Sequence, residues 1–215
     1  MSSIVRRCHR ADREPGHNPF STRYVRPGAV PYLFPPDCSV EGLIDRLRAD
    51  GWWGQIIGPH GSGKSSLLAA LTPALAAGGR RIVRFDLHDG QRRLGAAWRK
   101  RGPLDAASLL VVDGYEQLGL LSKLGLKRHC RRRGAGLLVT AHSDIGLPTL
   151  FACAPTVETA QRIVERLLPP GDQTIDRDDV ARAWQSHAGD LREALFGLYD
   201  LYEQRRACVT PRAPG

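Results

Sequence analysis

The sequence predicts an α/β fold in which a parallel five-stranded sheet, flanked by helices, precedes a small lid of helices. Three observations predict it. Short apolar runs alternate with stretches of helical periodicity through residues 39–154. The run Ser108–Val112 is continuous and apolar, as in a parallel strand covered on both faces. After Pro155 the strand-like runs stop, and three helical segments follow.

The elements follow in chain order. Residues 1–28 mix Arg, His, Pro, Gly and Ser without periodicity and read as an irregular arm. Val40, Leu43, Ile44 and Leu47 fall at helical spacing, with Ser39 or Asp37 as cap. Trp52–Ile57 reads as a buried strand. The next helix carries Leu67, Leu68, Leu71 and Leu75 on one face, with Pro73 expected to bend or shorten it and Gly78-Gly79 to end it. Ile82–Leu87 is a second strand, and residues 91–101 are expected to be helical and basic. Ser108–Val112 is the third strand, residues 115–132 a helix, Gly136–Ala141 the fourth strand and Thr149–Ala154 the fifth. The lid helices are expected at 156–168, 177–187 and 190–205. Thr156 and Asp176 would cap the first two, and Leu191, Leu195, Leu198 and Leu201 or Tyr202 would line the buried stripe of the last. The domain reading is an arm at 1–35, a core at 36–154, a three-helix lid at 155–206 and a loose tail at 207–215.

The chemistry is concentrated in Gly58-Pro59-His60-Gly61-Ser62-Gly63-Lys64-Ser65, which matches the Walker A pattern in full. Glycines at 58, 61 and 63 adopt backbone angles denied to other residues and let the backbone approach closely. The amides of 61–66, Ser66 included, then form an anion nest at a helix N-terminus. Lys64 would bridge the β- and γ-phosphates of ATP, and Ser65 would place its hydroxyl on Mg²⁺. The strand before the loop and the helix after it supply the context this motif requires. Asp113, at the end of the third apolar strand, reads as a Walker B carboxylate on the same Mg²⁺. Glu116 could orient the attacking water if the Asp113-Gly114-Tyr115 turn brings it round.

With those motifs the chain resembles the additional-strand P-loop NTPases, and within them the AAA+ group, over residues 40–205. An intervening strand separates Walker A from Walker B. Leu137–His142 lies where the sensor 1 strand would, offering Thr140, His142 or Ser143. Gly189-Asp190-Leu191-Arg192-Glu193-Ala194-Leu195 is similar to the sensor 2 helix of clamp loaders and origin-recognition ATPases. The resemblance implies that Thr140 and Arg192 act as sensors, Arg192 reaching the γ-phosphate. It also implies that arm residues such as Phe20, Arg23 and Arg26 lie near adenine. The chain departs from the pattern at Gly114, where many such ATPases carry Glu. It also departs at 142–148, a stretch with no room for a helix and no arginine finger. His142 is a candidate γ-phosphate contact or a polar strand end.

The expected activity is ATP hydrolysis that drives a conformational change read by a macromolecular partner. The alternatives are a nucleotide-gated module with little hydrolysis, or a small-molecule or nucleotide kinase. A GTPase is excluded because the only Asn is Asn18. A transporter-type subunit lacks its signature before Asp113. The net charge of +9 is uneven: residues 123–133 hold six Arg/Lys and no acid, and 155–203 hold ten acids against five Arg. The arm and residues 123–133 are therefore candidate nucleic-acid contacts, and a protein partner through the lid is expected equally. Oligomeric state stays open. The absence of an apolar leader or long apolar run leads us to expect a cytoplasmic chain without membrane insertion. Five cysteines without Cys-x-x-Cys spacing give neither a zinc motif nor a disulfide framework.

Overall fold

The computed structural model describes residues 17–87, 90–94 and 102–209. Contacts divide the chain into two compact units. One consists of Phe34–His60 and Leu67–Ala154; the other gathers Gly61–Ser66 with the described parts of Met1–Leu33 and Pro155–Gly215.

The first unit is built on five parallel strands: β1 (Trp53–Ile57), β2 (Arg81–Asp86), β3 (Ser108–Asp113), β4 (Gly136–Ala141) and β5 (Thr149–Ala152). Their order is β2-β3-β4-β1-β5. The strand that leads into the phosphate loop and the strand that ends in Asp113 are thus held apart by β4, which pairs Trp53 with Leu137 on one side and Leu110 with Leu137 on the other. In sequence β2 intervenes; in space β4 does. Every residue of β4 is buried, and β3 is buried up to Asp113, as a strand between covering layers requires.

Helix α1 (Thr22–Val25) is a single turn, and α2 (Val40–Ala49) starts at Ser39, whose hydroxyl accepts from Gly42 N at 3.0 Å. Leu43 and Leu47 are buried, and a side chain at Gly54 would meet Leu47 Cδ1 at 2.9 Å, so α2 lies close on β1. Helix α3 (Lys64–Ala77) is continuous through Pro73 rather than shortened by it. Pro73 sits on the exposed side, and the Thr72 hydroxyl donates to Leu68 O at 2.6 Å, adding a bond across the turn where the proline ring withholds an amide. Leu67, Leu68, Leu71 and Leu75 are all buried.

Two further expectations are corrected. Residues 91–94 are not helical, and most of the helix expected over 91–101 lies outside the described residues. The helix expected over 115–132 is two elements: a 3-10 turn at Tyr115–Gln117, then α4 (Leu120–Arg133). Gly119 breaks them at the N-cap of α4, with its amide tied to Arg92 O at 3.1 Å.

In the second unit, α5 (Val157–Leu167) is capped by Thr156, and α6 (Arg177–Ser186) by a reciprocal capping box between Asp176 and Asp179. Helix α7 (Leu191–Val209) buries Leu191, Leu195, Leu198 and Tyr202. The described part of the arm, from residue 17, packs within this unit. Phe20 is fully buried with its ring 5.8 Å from that of Tyr202, and Asn18 donates to Tyr199 O at 2.9 Å and Glu203 Oε1 at 2.8 Å. Phe20 is therefore core, and its ring offers no face to adenine. Among the described residues, no helix is long and apolar enough to cross a membrane.

Candidate functional site

The phosphate loop runs from the end of β1 at Ile57 to the first turn of α3 at Lys64. Gly61 and Gly63 have φ of 66° and 91°, and Gly58 has φ of 154°. At Gly61 the need for glycine is also steric: an added Cβ would lie 1.8 Å from Asp190 Oδ1. At Gly63 the nearest neighbour of such a Cβ is Tyr32, at 3.6 Å. Ser62 is buried, and its hydroxyl finds no partner among the described residues. Asp190 was legible only as part of a motif. In the structure its Oδ1 accepts from Arg192 N at 2.9 Å and Glu193 N at 3.1 Å, so it caps the N-terminus of α7 while its carboxylate lies against Gly61. The Gly-Asp pair ahead of an apolar-periodic run was the signal for that cap. Arg192 itself is exposed, with its guanidinium 5.6 Å from the Phe196 ring.

At the end of β3, Asp113 is held from two sides. Thr140 on β4 donates its hydroxyl to Asp113 Oδ1 at 2.6 Å and accepts from Gly114 N at 2.8 Å. Arg84 on β2 faces Asp113 Oδ2 at 3.4 Å and bonds Asp86 at 2.7 Å. Sequence reasoning missed Arg84, although the alternation Arg84-Phe85-Asp86 at a strand end placed the two charges on one face.

Gly114 explains itself. Its φ of 78° and ψ of 35° are left-handed, and a Cβ there would stand 2.8 Å from Leu87 O. A glutamate is thus barred directly after Asp113. The left-handed turn instead starts the 3-10 segment that delivers Glu116. Tyr115 anchors that segment: it is 1% exposed, burial pushes its phenol up to about 12, and the Lys123 ammonium lies 5.5 Å from its ring. Lys123 Nζ also donates to Glu116 O at 3.2 Å. Glu116 Oε1 lies 3.3 Å from His142 Nε2, one residue past β4, while the buried Oε2 accepts no hydrogen bond among the described residues. The His142 ring meets the ring of His60, from the phosphate loop, edge-on at 6.1 Å. Glu116, His142 and His60 therefore form a run from the end of β3 to the end of β1. Ser143, the other sensor candidate, is exposed.

The residues fit a magnesium nucleotide. The loop offers a cradle that side chains would fill and a buried hydroxyl without a partner, and Asp113 offers a hard carboxylate oxygen in a fixed orientation. Among the described residues no cluster of three or more His, Cys, Asp or Glu could hold an ion unaided. Magnesium held by few protein groups together with phosphate oxygens suits such a site.

Fold and loop together define an α/β fold of the P-loop NTPase kind. Among solved structures the chain is similar to a variant of RuvB from Thermotoga maritima, with a TM-score of 0.50 and 15% identity over 79% of this chain. It spans 66% of that protein, just under two thirds of its length. A weaker likeness to PCH-2 from C. elegans has a TM-score of 0.39 and 12% identity, covering 78% of this chain and 68% of that one. No family model and no curated protein matches the sequence.

Proposed function

We propose that this chain binds Mg-ATP and hydrolyses it, coupling the nucleotide to a conformational change that a macromolecular partner reads. The observation that carries the reading is Glu116. The turn at Gly114 sets its carboxylate beside His142, and its Oε2 is left without a hydrogen-bond donor among the described residues. A buried acceptor in that position suits the polarising of a water. In the proposed roles, amides of 61–66 bind the phosphates and Lys64 neutralises the β- and γ-oxygens. Ser65 and Asp113 hold magnesium, with Thr140 keeping Asp113 aimed. Bound magnesium supplies charge neutralisation at the transferring phosphoryl group. Arg192, always charged and rich in donors, is the proposed nucleotide sensor of the helical unit.

The test is Mg-ATP binding and steady-state phosphate release by wild type, Lys64→Ala and Glu116→Gln. The reading expects binding lost in the first variant, and binding kept in the second with turnover reduced by roughly 10²-fold or more, the usual weight of a general base. Equal turnover in wild type and Glu116→Gln would remove Glu116 from the reaction.

A second reading has its own support. Glu116 is engaged by His142, and Gly114 cannot be replaced by the usual glutamate, so a nucleotide-gated module with little hydrolysis is the alternative. Tight binding without turnover, together with ATP-dependent protection of 155–206 from protease, selects it. Under either reading, Arg192→Ala lowers that protection.

A further inference from the structure

At the N-terminal edge of the sheet, away from Asp113 and His60, lies a surface that the nucleotide chemistry does not use. Trp52 and Trp53 enter β1 there, α2 brings Arg48 there in its last turn, Arg80 precedes β2, and α4 ends there in Arg131, Arg132 and Arg133. The registers Trp53 to Leu137, Leu109 to Gly136 and Arg81 to Ser108 bring these ends together. The basic run 127–133, read in sequence as one helix end, is thus joined in space by cations from two other elements.

The surface is organised. The Arg80 guanidinium lies 4.4 Å from the Trp52 ring and is fixed by Ala106 O at 2.9 Å and Ser108 O at 2.8 Å. Arg48 approaches the same ring at 5.6 Å, and Arg131 stands 5.2 Å from the Trp53 ring. Trp52 is held at φ of 68°, a left-handed angle unusual for a bulky residue. Its backbone is pinned there by bonds from its N to Leu47 O at 2.7 Å and from Leu137 N to its O at 2.8 Å. Gly136 makes room for it, since a Cβ there would lie 2.6 Å from Trp52 Cβ. Local strain of this kind persists only where the surroundings over-determine it, and it concentrates at working surfaces.

The charge balance favours an anion. Of the carboxylates at this edge, Asp45 bonds Arg48 at 2.8 Å and Asp105 faces Arg81 at 3.4 Å, which leaves Asp50, whose backbone N–H closes α2, as a single exposed acid against Arg80, Arg131, Arg132 and Arg133. Arg131, Arg132 and Arg133 are exposed, and none of them has an ion pair among the described residues. Helix-dipole complementarity rewards cations in a last turn, but it asks for neither three in succession nor further arginines from α2 and the approach to β2. Within the sheet unit the exposed large hydrophobics of the described residues, Leu120, Leu121 and Leu124, lie toward the other end of α4, so they give this edge no apolar anchor for a bilayer.

We propose that this edge binds the phosphate backbone of nucleic acid without reading its sequence. Guanidiniums gathered on one edge neutralise phosphates whatever the bases, and aromatic rings stiffen the side chains of Arg48, Arg80 and Arg131. The proposal goes beyond nucleotide hydrolysis and does not depend on it.

The test is fluorescence anisotropy with a labelled 30-nucleotide DNA of arbitrary sequence, single-stranded and duplex, without ATP and across a salt series. Arg131→Gln/Arg132→Gln/Arg133→Gln is expected to weaken duplex binding by about tenfold or more near 0.1 M salt and to lower the log–log salt slope by about 2.7. Arg162→Gln/Arg177→Gln, on the acidic helical unit, is expected to leave both unchanged. If the triple variant does not keep the wild-type melting temperature, Arg132→Gln/Arg133→Gln decides, with a slope lower by about 1.8. An unchanged slope in these variants overturns the proposal. So does polyglutamate competing at lower charge concentration than unlabelled DNA, or binding to phosphatidylserine vesicles with none to DNA.

Discussion

Placing a side chain on residue 114 tests why this chain departs from the usual Walker B sequence. Gly114 has φ of 78°, and a Cβ there would sit 2.8 Å from Leu87 O, a backbone atom that cannot swing aside. Gly51 is the natural control, with φ of 65° and nothing within 4 Å of its built Cβ. Alanine at 51 meets only the left-handed penalty, about 1–2 kcal/mol. Alanine at 114 meets the same penalty plus overpacking against a fixed carbonyl, about 1–3 kcal/mol more. A chain of this size shifts its midpoint by roughly 2–4 °C per kcal/mol. Gly51→Ala should therefore lower Tm by about 2–8 °C, and Gly114→Ala by about 4–20 °C, measured by far-UV circular dichroism. The informative quantity is the difference between the two. Equal losses would show that Leu87 yields, and the steric account of Gly114 would be wrong. Gly114→Glu, which restores the usual residue, should lose at least as much stability as Gly114→Ala and gain no turnover.

Other outcomes follow from the same geometry. Thr140→Val removes the hydroxyl between Asp113 Oδ1 and Gly114 N, leaving a part-buried amide unpaired, and should cost about 1–3 kcal/mol in urea unfolding; Thr140→Ser should restore most of it. Asp179 is a buried carboxylate. Burial raises its pKa, but hydrogen bonds from Arg205, the capped backbone and Arg182 outweigh it and hold the group at about 2. A depressed folded pKa means the stabilisation is complete above the unfolded value near 3.9 and is lost as pH falls toward about 2. Asp179→Asn should cost about 1–3 kcal/mol at neutral pH through its weakened hydrogen bonds, the two arginines being exposed enough for water to take over, and should flatten the acid limb of the stability profile between those values.

The sequence by itself determined the strands, the phosphate loop and the caps at Ser39, Thr156 and Asp176, because each depends on local pattern. A run of apolar residues ending in glycine, or a capping residue ahead of a periodic stretch, carries its structure within a few positions. It also gave Asp113, since a carboxylate closing a buried strand is visible locally. Tertiary structure decided what depends on distant chain segments. Strand order put β4 rather than β2 between β1 and β3, and so carried Thr140 to Asp113. The left-handed turn at Gly114 is required by Leu87 O, an atom twenty-seven residues away in the chain (114 against 87), and it decided where Glu116 goes. Phe20 reads as a residue of an irregular arm, yet it is core because Tyr202 of α7 lies against it. Arg48, Arg80 and Arg131 are unremarkable in an arginine-rich chain until parallel pairing aligns the strand starts beside Trp52 and Trp53. Local preference fixes elements, whereas sites are made by long-range contacts whose partners no window of sequence contains.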